Sequence, residues 1–540
     1  MSEKHSAPVD LSHHLSDFAK SIQLPPDPST GTSPPDDLIN MDGGQPDTEY
    51  FPIESITVEY LQPSAFPLKP TDVVPHGPGV LGWIANVLTG KGSKTTEAPT
   101  AQFVVPRRLQ ANDQSKFELR SAFAYSPVTG LPAAEKIIHD WVARVHKPAY
   151  NGWKTLIDIG SSSAWMSSIT ILLNPGDSYL CDRYAYNSAL LQGNVKDLLP
   201  VAVATDQDGL SAVDLERVLT SWDSKARGSS RPRVIYTQGG IQNPTGLLIS
   251  AQRKKDIYDV AVRHDLIIIE DDPYYFQQAS AHYGSGVAPK KQTDEEWLDG
   301  LVPSFLRFDY EGRVLRLDTF SKSIGPGGRL GYYTGQKLFL DKLAAHHRNE
   351  ISFPSGISQA LIGELLHRYE AEGFTRWLRG LTAQYELRRN WTIDALNKAL
   401  DVKHKDSWSR TLTAYARPTG QMSEKFTKTT SLLSFVPPDG GMFLWLHIHL
   451  HNHPRYKALA RQTSPASAKN QLSTELWTSI YKSGVLFRRG ELFAVEDDEE
   501  RAKAGEEDVF LRVSFSGGPK ENLEKGMQRF ATTLVKFFEV

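Results

Sequence analysis

Cysteine is almost missing from this chain: Cys181 is the one thiol among 540 residues. That excludes an internal disulfide and any thiolate cluster for a metal, and it suits a reducing compartment. Within "SYLCDRYAY" the lone thiol reads as a small buried hydrophobe. An excess of charge of one sign is missing too. The formal net charge is -3, with basic and acidic residues intermixed, so no field is available to gather nucleic acid or an anionic membrane. A small solute is the expected partner. No apolar run approaches the length of a membrane span, and "MSEKHSAPVDLSHHLSDFAK" has neither the basic start nor the apolar core of a secretory signal. The cytosol is the expected location.

What is present is ordinary globular material, 40% hydrophobic over a length that accommodates two domains or one large bilobed one. "QLPPDPSTGTSPPDD", Gln23 to Asp37, favours an extended arm, and residues 1–40 are expected to form a flexible tail. Val87 to Gln102 is a second loose stretch. Polar insertions at Ala279–Glu296, His404–Thr430 and Asn452–Asn470, and the acidic run Glu496–Asp508, read as surface loops. From Thr155 strands and helices alternate. "TLIDIG" is a strand, "SSAWMSSITILL" a helix, and "SYLCD", "PRVIYT", "LIIIE" and "RVLRLD" are further strands, while "SAQRKKDIYDVAVRH" is a helix with Ser250 available as its N-cap. That alternation implies a mainly parallel sheet covered on both faces, with polar residues converging beyond the strand ends. A long helical stretch, Phe374–Leu400, leads into a smaller C-terminal domain containing the strands "GGMFLWLHI" and "VFLRVSFSG".

Four motifs fall at or just after predicted strands: "GSSSAW" at Gly160, "QNPTG" at Gln242, "EDDPYY" at Glu270 and "TFSK" at Thr319. Singly, each reads equally well as a turn, a cap or a surface loop. In this order, with Arg329 seven residues after Lys322, they resemble the fold-type I pyridoxal phosphate aminotransferases. Within that family the likeness is to fungal aromatic aminotransferases and kynurenine/2-aminoadipate aminotransferases. It runs from "GGQPDTEYFPIESI" through "YSPVTGLP" to "LRVSFSGGPKENL".

The resemblance implies an α/β fold of the aspartate aminotransferase type, a large domain with a mainly parallel mixed sheet plus a smaller α+β domain. The expected division is an arm and part of the small domain at 41–112, the large cofactor-binding domain at 113–390 and the small domain at 391–540. It also implies site roles. Lys322 is the amine that holds the cofactor and moves the substrate's α-proton. Asp272 is the carboxylate facing the ring nitrogen, with Tyr275 and Asn243 donating to the phenolate oxygen, while Asp271 and Glu270 are expected only to be solvated at the strand end. Gly160, Ser161, Ser162, Thr319, Ser321 and Arg329 hold the phosphate, and Tyr186 stacks on the ring. Tyr125 reaches the phosphate of a neighbouring subunit, which implies a homodimer with shared sites. Arg512 takes the substrate α-carboxylate with help from the backbone of Gly44, and Phe443 lines the side-chain pocket. No metal is implied.

The chemistry agrees with these residue types. The cofactor needs an amine, a carboxylate, donors to its phenolate and an anion site. A helix N-terminus after a strand supplies the last of these, and an arginine inside an apolar strand needs an anion. The expected reaction moves the amino group of phenylalanine, tyrosine or tryptophan to 2-oxoglutarate in a ping-pong cycle of aromatic amino acid metabolism. Kynurenine or 2-aminoadipate is the alternative substrate, and decarboxylation or elimination the alternative reaction on the same scaffold. A non-catalytic sensor of the same fold ranks last, because Lys322 and Asp272 are both present and no DNA-binding module is visible in the N-terminal stretch. In "RRGELF" the chain departs from the Pro-Gly-aromatic common in relatives. Arg488 or Arg489 would favour an acidic side chain if it points inward.

Overall fold

The structure, a computed structural model, describes residues 7–23, 44–68, 99–281, 283, 291–404, 409–417, 430–495 and 508–539. Most of Gln23–Asp37, residues 87–98, much of the stretches at 279–296 and 404–430, and nearly all of the acidic run lie outside the described residues.

Strands β1 (Ser55–Leu61) and β2 (Thr100–Pro106) pair as an antiparallel ribbon. β3 (Trp153–Asp158), β4 (Ser178–Asp182) and β5 (Leu199–Val203) follow, then a two-residue hairpin of β6 (Thr205–Asp206) and β7 (Gly209–Leu210). β8 (Val234–Thr237), β9 (Ile267–Asp271), β10 (Val314–Thr319) and β11 (Gly331–Gln336) complete a seven-stranded sheet of order β3-β11-β10-β9-β8-β4-β5. β11 alone runs antiparallel to its neighbours. The C-terminal ends of β3, β4, β8, β9 and β10 therefore open on one edge, where α/β sheets bind ligands.

Helices cover both faces, so the inner strands are largely apolar on both sides until they near the ligand edge, apart from a buried charged group on β9 and β10. In β9 the period of two sends Ile267 and Ile269 into the core under the helix Ser161–Leu172, and Ile268 into the core under the helix Ala251–Arg263. Ser250 caps the latter helix by accepting from the Arg253 N–H.

The second sheet has the order β12-β13-β14-β15-β17-β16, built from β12 (Asp401–His404), β13 (Leu412–Tyr415), β14 (Ser431–Phe435), β15 (Phe443–Ile448), β16 (Arg488–Arg489) and β17 (Val509–Ser514). The helix Gly356–Ala399, kinked at Glu370, spans the two cores. Phe374 and Leu378 pack with β2 and the large domain, and Ile393 and Leu396 pack with the second sheet.

Two expectations need correction. Residues 9–21 are not a tail: Leu11, Leu15 and Ala19 are buried in the large-domain core, and His14 beside them is 1% exposed. The segment is two short turns, Ser12–His14 and Asp17–Ser21, joined through extended backbone at Leu15 and Ser16, too short a pattern to read beside the proline-rich stretch. Burying two leucines offsets about 3–6 kcal/mol of ordering cost. Asn452–Asn470 is not a loop either. It carries the helix Tyr456–Gln462 and the start of the helix Pro465–Lys482, with Ser464 as cap and Pro465 in its first turn.

Candidate active site

Lys322 ends a short turn, Phe320–Lys322, directly after β10, and Thr319 fixes that turn by accepting from the Ser321 N–H at 3.2 Å. The lysine faces a cavity of about 300 Å³ at the edge where the strand ends converge. Burial lowers its pKa, Arg512's charge lowers it further, and Asp271 works in the opposite direction.

The aspartate in this cavity is Asp271, not Asp272, and the tyrosine is Tyr274, not Tyr275. The reason is strand phase. Asp271 continues the face of Ile267 and Ile269, and its Oδ2 accepts from the Tyr236 hydroxyl at 2.8 Å. Asp272 continues the face of Ile268 and Glu270. There it joins a buried group in which Arg316 meets Glu270 at 3.1 Å, Asp272 at 3.4 Å and Asp318 at 2.8 Å. Tyr275 lies under the same guanidinium, 4.9 Å from its ring centre. Tyr274 instead has its ring centre 5.8 Å from Lys322 Nζ. Burial pushes the Asp271 carboxyl up to about 7, and its Oδ1 is buried with no hydrogen-bond partner among the described residues.

On the β3 side, Gly160 precedes the helix Ser161–Leu172 at φ 115, a conformation that favours glycine. A side chain there would collide with Arg329, whose Nη2 would lie 2.7 Å from the added carbon. Ser161, Ser162, Thr319, Ser321 and Arg329 thus surround one end of the cavity. Hydroxyls, a helix N-terminus and a guanidinium form an anion site there.

On the opposite wall Arg512 projects from β17. Its Nη1 donates to Asn243 Oδ1 at 2.7 Å, and the guanidinium lies 4.0 Å from the ring centre of Phe443 and 4.7 Å from that of Phe493. No carboxylate pairs with it among the described residues, and its Nε is buried without a partner. Burial lowers its pKa to about 10, and the charge of Arg488 adds to that. Because the Asn243 carbonyl accepts from Arg512, its amide N–H groups remain to donate. The Asn243 backbone N–H is itself held by Gln238 Oε1 at 2.7 Å. Tyr186 also lines the cavity. Gly44 and Tyr125 do not: Gly44 is exposed, and Tyr125 is 62% exposed with its ring edge-on to Phe353.

Residues 95–530 match the family described as aminotransferase class I and II. The chain belongs to that family. An aromatic amino acid aminotransferase of Schizosaccharomyces pombe is 28% identical over 98% of this chain and 99% of its own length. An L-tyrosine:2-oxoglutarate aminotransferase of Tapinella panuoides is 30% identical over 98% and 97%. The crystal structure of the aminotransferase Aro8 from Candida albicans superposes with a TM-score of 0.80 at 28% identity, covering 99% of this chain and 100% of that one.

This aminotransferase works with pyridoxal phosphate, and the cavity fits that cofactor. It offers an amine whose pKa burial lowers, a buried carboxylate oxygen without a donor among the described residues, and an anion site. Among the residues missed from sequence, Asp271 and Tyr274 had the required spacing of three, but so did Asp272 and Tyr275. Arg316 in "RVLRLD" was the available signal. A cation inside a buried strand demands carboxylates on its own face, which removes Asp272 from the cavity.

Proposed function

We propose that the chain transfers the amino group of phenylalanine, tyrosine or tryptophan to 2-oxoglutarate. The reading rests on one observation above the rest: Lys322, Asp271 and Arg512, which has no carboxylate partner among the described residues, face a single cavity edged by the rings of Phe443, Tyr274 and Tyr186. The names carried by the Schizosaccharomyces and Tapinella relatives support the substrate class.

In this reading Asp271 Oδ1 holds the protonated ring nitrogen, Asn243 and Tyr274 donate to the phenolate oxygen, and the Ser161, Ser162, Thr319, Ser321 and Arg329 group holds the phosphate. Bound there, pyridoxal phosphate supplies an electron sink for the Cα–H bond of the substrate. Arg512 grips the α-carboxylate by charge-assisted hydrogen bonds and so fixes which bond at Cα faces Lys322. Burial and the Arg512 charge favour the neutral amine of Lys322, which takes the proton from Cα. In the second half-reaction the same amine returns a proton to Cα of the product. Phe443 and Phe493 pack on the Arg512 guanidinium, limiting its rotation and keeping water from it.

Tyr125, exposed in one chain, is assigned to the phosphate site of a second copy, so the working unit is a homodimer. The lone buried thiol, Cys181, supports a reducing compartment. The test is to supply each aromatic amino acid with 2-oxoglutarate and analyse every product. Formation of the 2-oxo acid with equimolar glutamate is expected. Release of carbon dioxide or ammonia would replace this reading with decarboxylation or elimination.

A further inference from the structure

Arg512 has a second arginine directly across from it. β16 is the edge strand of the second sheet, and its register sets Arg488 opposite Arg512 and Arg489 opposite Leu511. Opposite residues of an antiparallel pair project to the same face. Arg488 therefore shares the face of Arg512, together with Trp445, which lies opposite Arg512 from β15. Arg489 turns to the other face, where Glu491 holds it at 3.4 Å, and Glu491 in turn accepts from Ser473 Oγ at 2.9 Å. The two arginines of "RRGELF" are thus not equivalent.

Like charges set directly opposite on a sheet repel. Among the described residues no carboxylate pairs with Arg488 and none pairs with Arg512, so nothing among them relieves the repulsion. Arg488 is exposed, at the outer edge, while Arg512 is the deeper of the two. Side chains of a directly opposed pair start about 4.5–5.5 Å apart at Cβ. The two carboxyl carbons of a five-carbon dicarboxylate lie roughly 5 Å apart along an extended chain of ordinary C–C bonds.

We propose that Arg488 is the specificity residue for the dicarboxylic substrate of the reaction: Arg512 holds the α-carboxylate and Arg488 the distal carboxylate of a five-carbon 2-oxo diacid. The inference rests on the assignment of Arg512 to the α-carboxylate made above. An aromatic substrate carries no second anion and makes no use of Arg488. The arginine pair therefore distinguishes the two substrates of the ping-pong cycle by charge, within one site that accepts the α-carboxylate of both.

The test is the affinity of the pyridoxal phosphate-loaded protein for two unreactive acids, glutarate and 3-phenylpropionate, by titration calorimetry. Arg488→Met is expected to weaken glutarate by about tenfold or more, the scale of one charge-assisted hydrogen bond, and to change 3-phenylpropionate by less than about threefold on that same scale. Arg488→Lys should recover part of the glutarate affinity, and Arg489→Met should leave the ratio of the two affinities unchanged. In turnover, KM for 2-oxoglutarate should rise in Arg488→Met while KM for phenylpyruvate holds. Unchanged glutarate binding, or equal weakening of both acids, overturns the proposal. Because the titration needs no turnover, glutarate selectivity that depends on Arg488 in a protein forming no 2-oxo acid would sink the functional reading and leave the arginine pair standing.

Discussion

Asp271 and Asp272 are neighbours in sequence and occupy opposite faces of one sheet. Each has one buried oxygen without a hydrogen-bond partner among the described residues, but Asp271 lines the cavity with Lys322 and Arg512, whereas Asp272 lies on the face of Arg316. Asp271→Asn is expected to lower kcat on the order of 100-fold or more, as loss of a group that stabilises developing charge does. Asp272→Asn should cost far less, and steady-state kinetics of the pair decides between them. Equal losses, or the reverse order, would return the role to Asp272. The Arg316 group makes a separate claim about stability. Arg316→Met leaves Glu270, Asp272 and Asp318 buried without their shared cation, and should cost about 3–5 kcal/mol in urea unfolding. Most of the cavity was legible at this scale, because Lys322, Arg329, Asn243 and Arg512 sit in short motifs whose chemistry is local. The choice between the two aspartates was missed, since Asp271–Tyr274 and Asp272–Tyr275 have the same spacing and the residue that decides between them, Arg316, lies on another strand.

Elements were legible where their signals were local. Ser250 marked its helix because a cap is a one-residue event, and the strand ends of the large sheet followed from the alternation of strands and helices. The N-terminal segment was misjudged because Leu11, Leu15 and Ala19 are spread over two short turns with no helical period, and their burial depends on a core formed by residues far along the chain. That segment is held by Asp265, which meets His13 at 2.7 Å, His14 at 3.1 Å and Arg313 at 2.7 Å. Leu15→Ala should cost about 2–5 kcal/mol, read as lost amide protection across residues 11–21. Burial lowers the pKa of His14 from 6.5 to about 4, against an opposing pull from Asp265. A base whose pKa is lowered on docking takes up its proton more readily when undocked. The docking contribution of His14 is therefore whole above about pH 6.5 and is lost as pH falls towards 4. Protection factors for this segment should fall across that window in the wild-type protein and change less in His14→Asn.

At the scale of the whole molecule, the proposed homodimer makes a claim about Tyr125. If Tyr125 serves the phosphate of its partner, a mixture of Tyr125→Ala and Lys322→Ala homodimers, allowed to exchange subunits, should regain activity. Each mixed dimer then holds one site with an intact Lys322 and an intact Tyr125. Activity no greater than the sum of the separate variants would mean that Tyr125 acts within its own chain or not at all. The central claim, that this cavity removes an amino group and holds it for a second substrate, is tested most directly by a single turnover. The pyridoxal phosphate-loaded protein is mixed with phenylalanine in the absence of any 2-oxo acid, and the products are counted. One equivalent of phenylpyruvate per chain, with no ammonia or carbon dioxide, is the expected result, and Lys322→Ala should yield none on the same timescale. Continuous release of ammonia or carbon dioxide, or no phenylpyruvate from the wild-type protein with any aromatic amino acid, would contradict it.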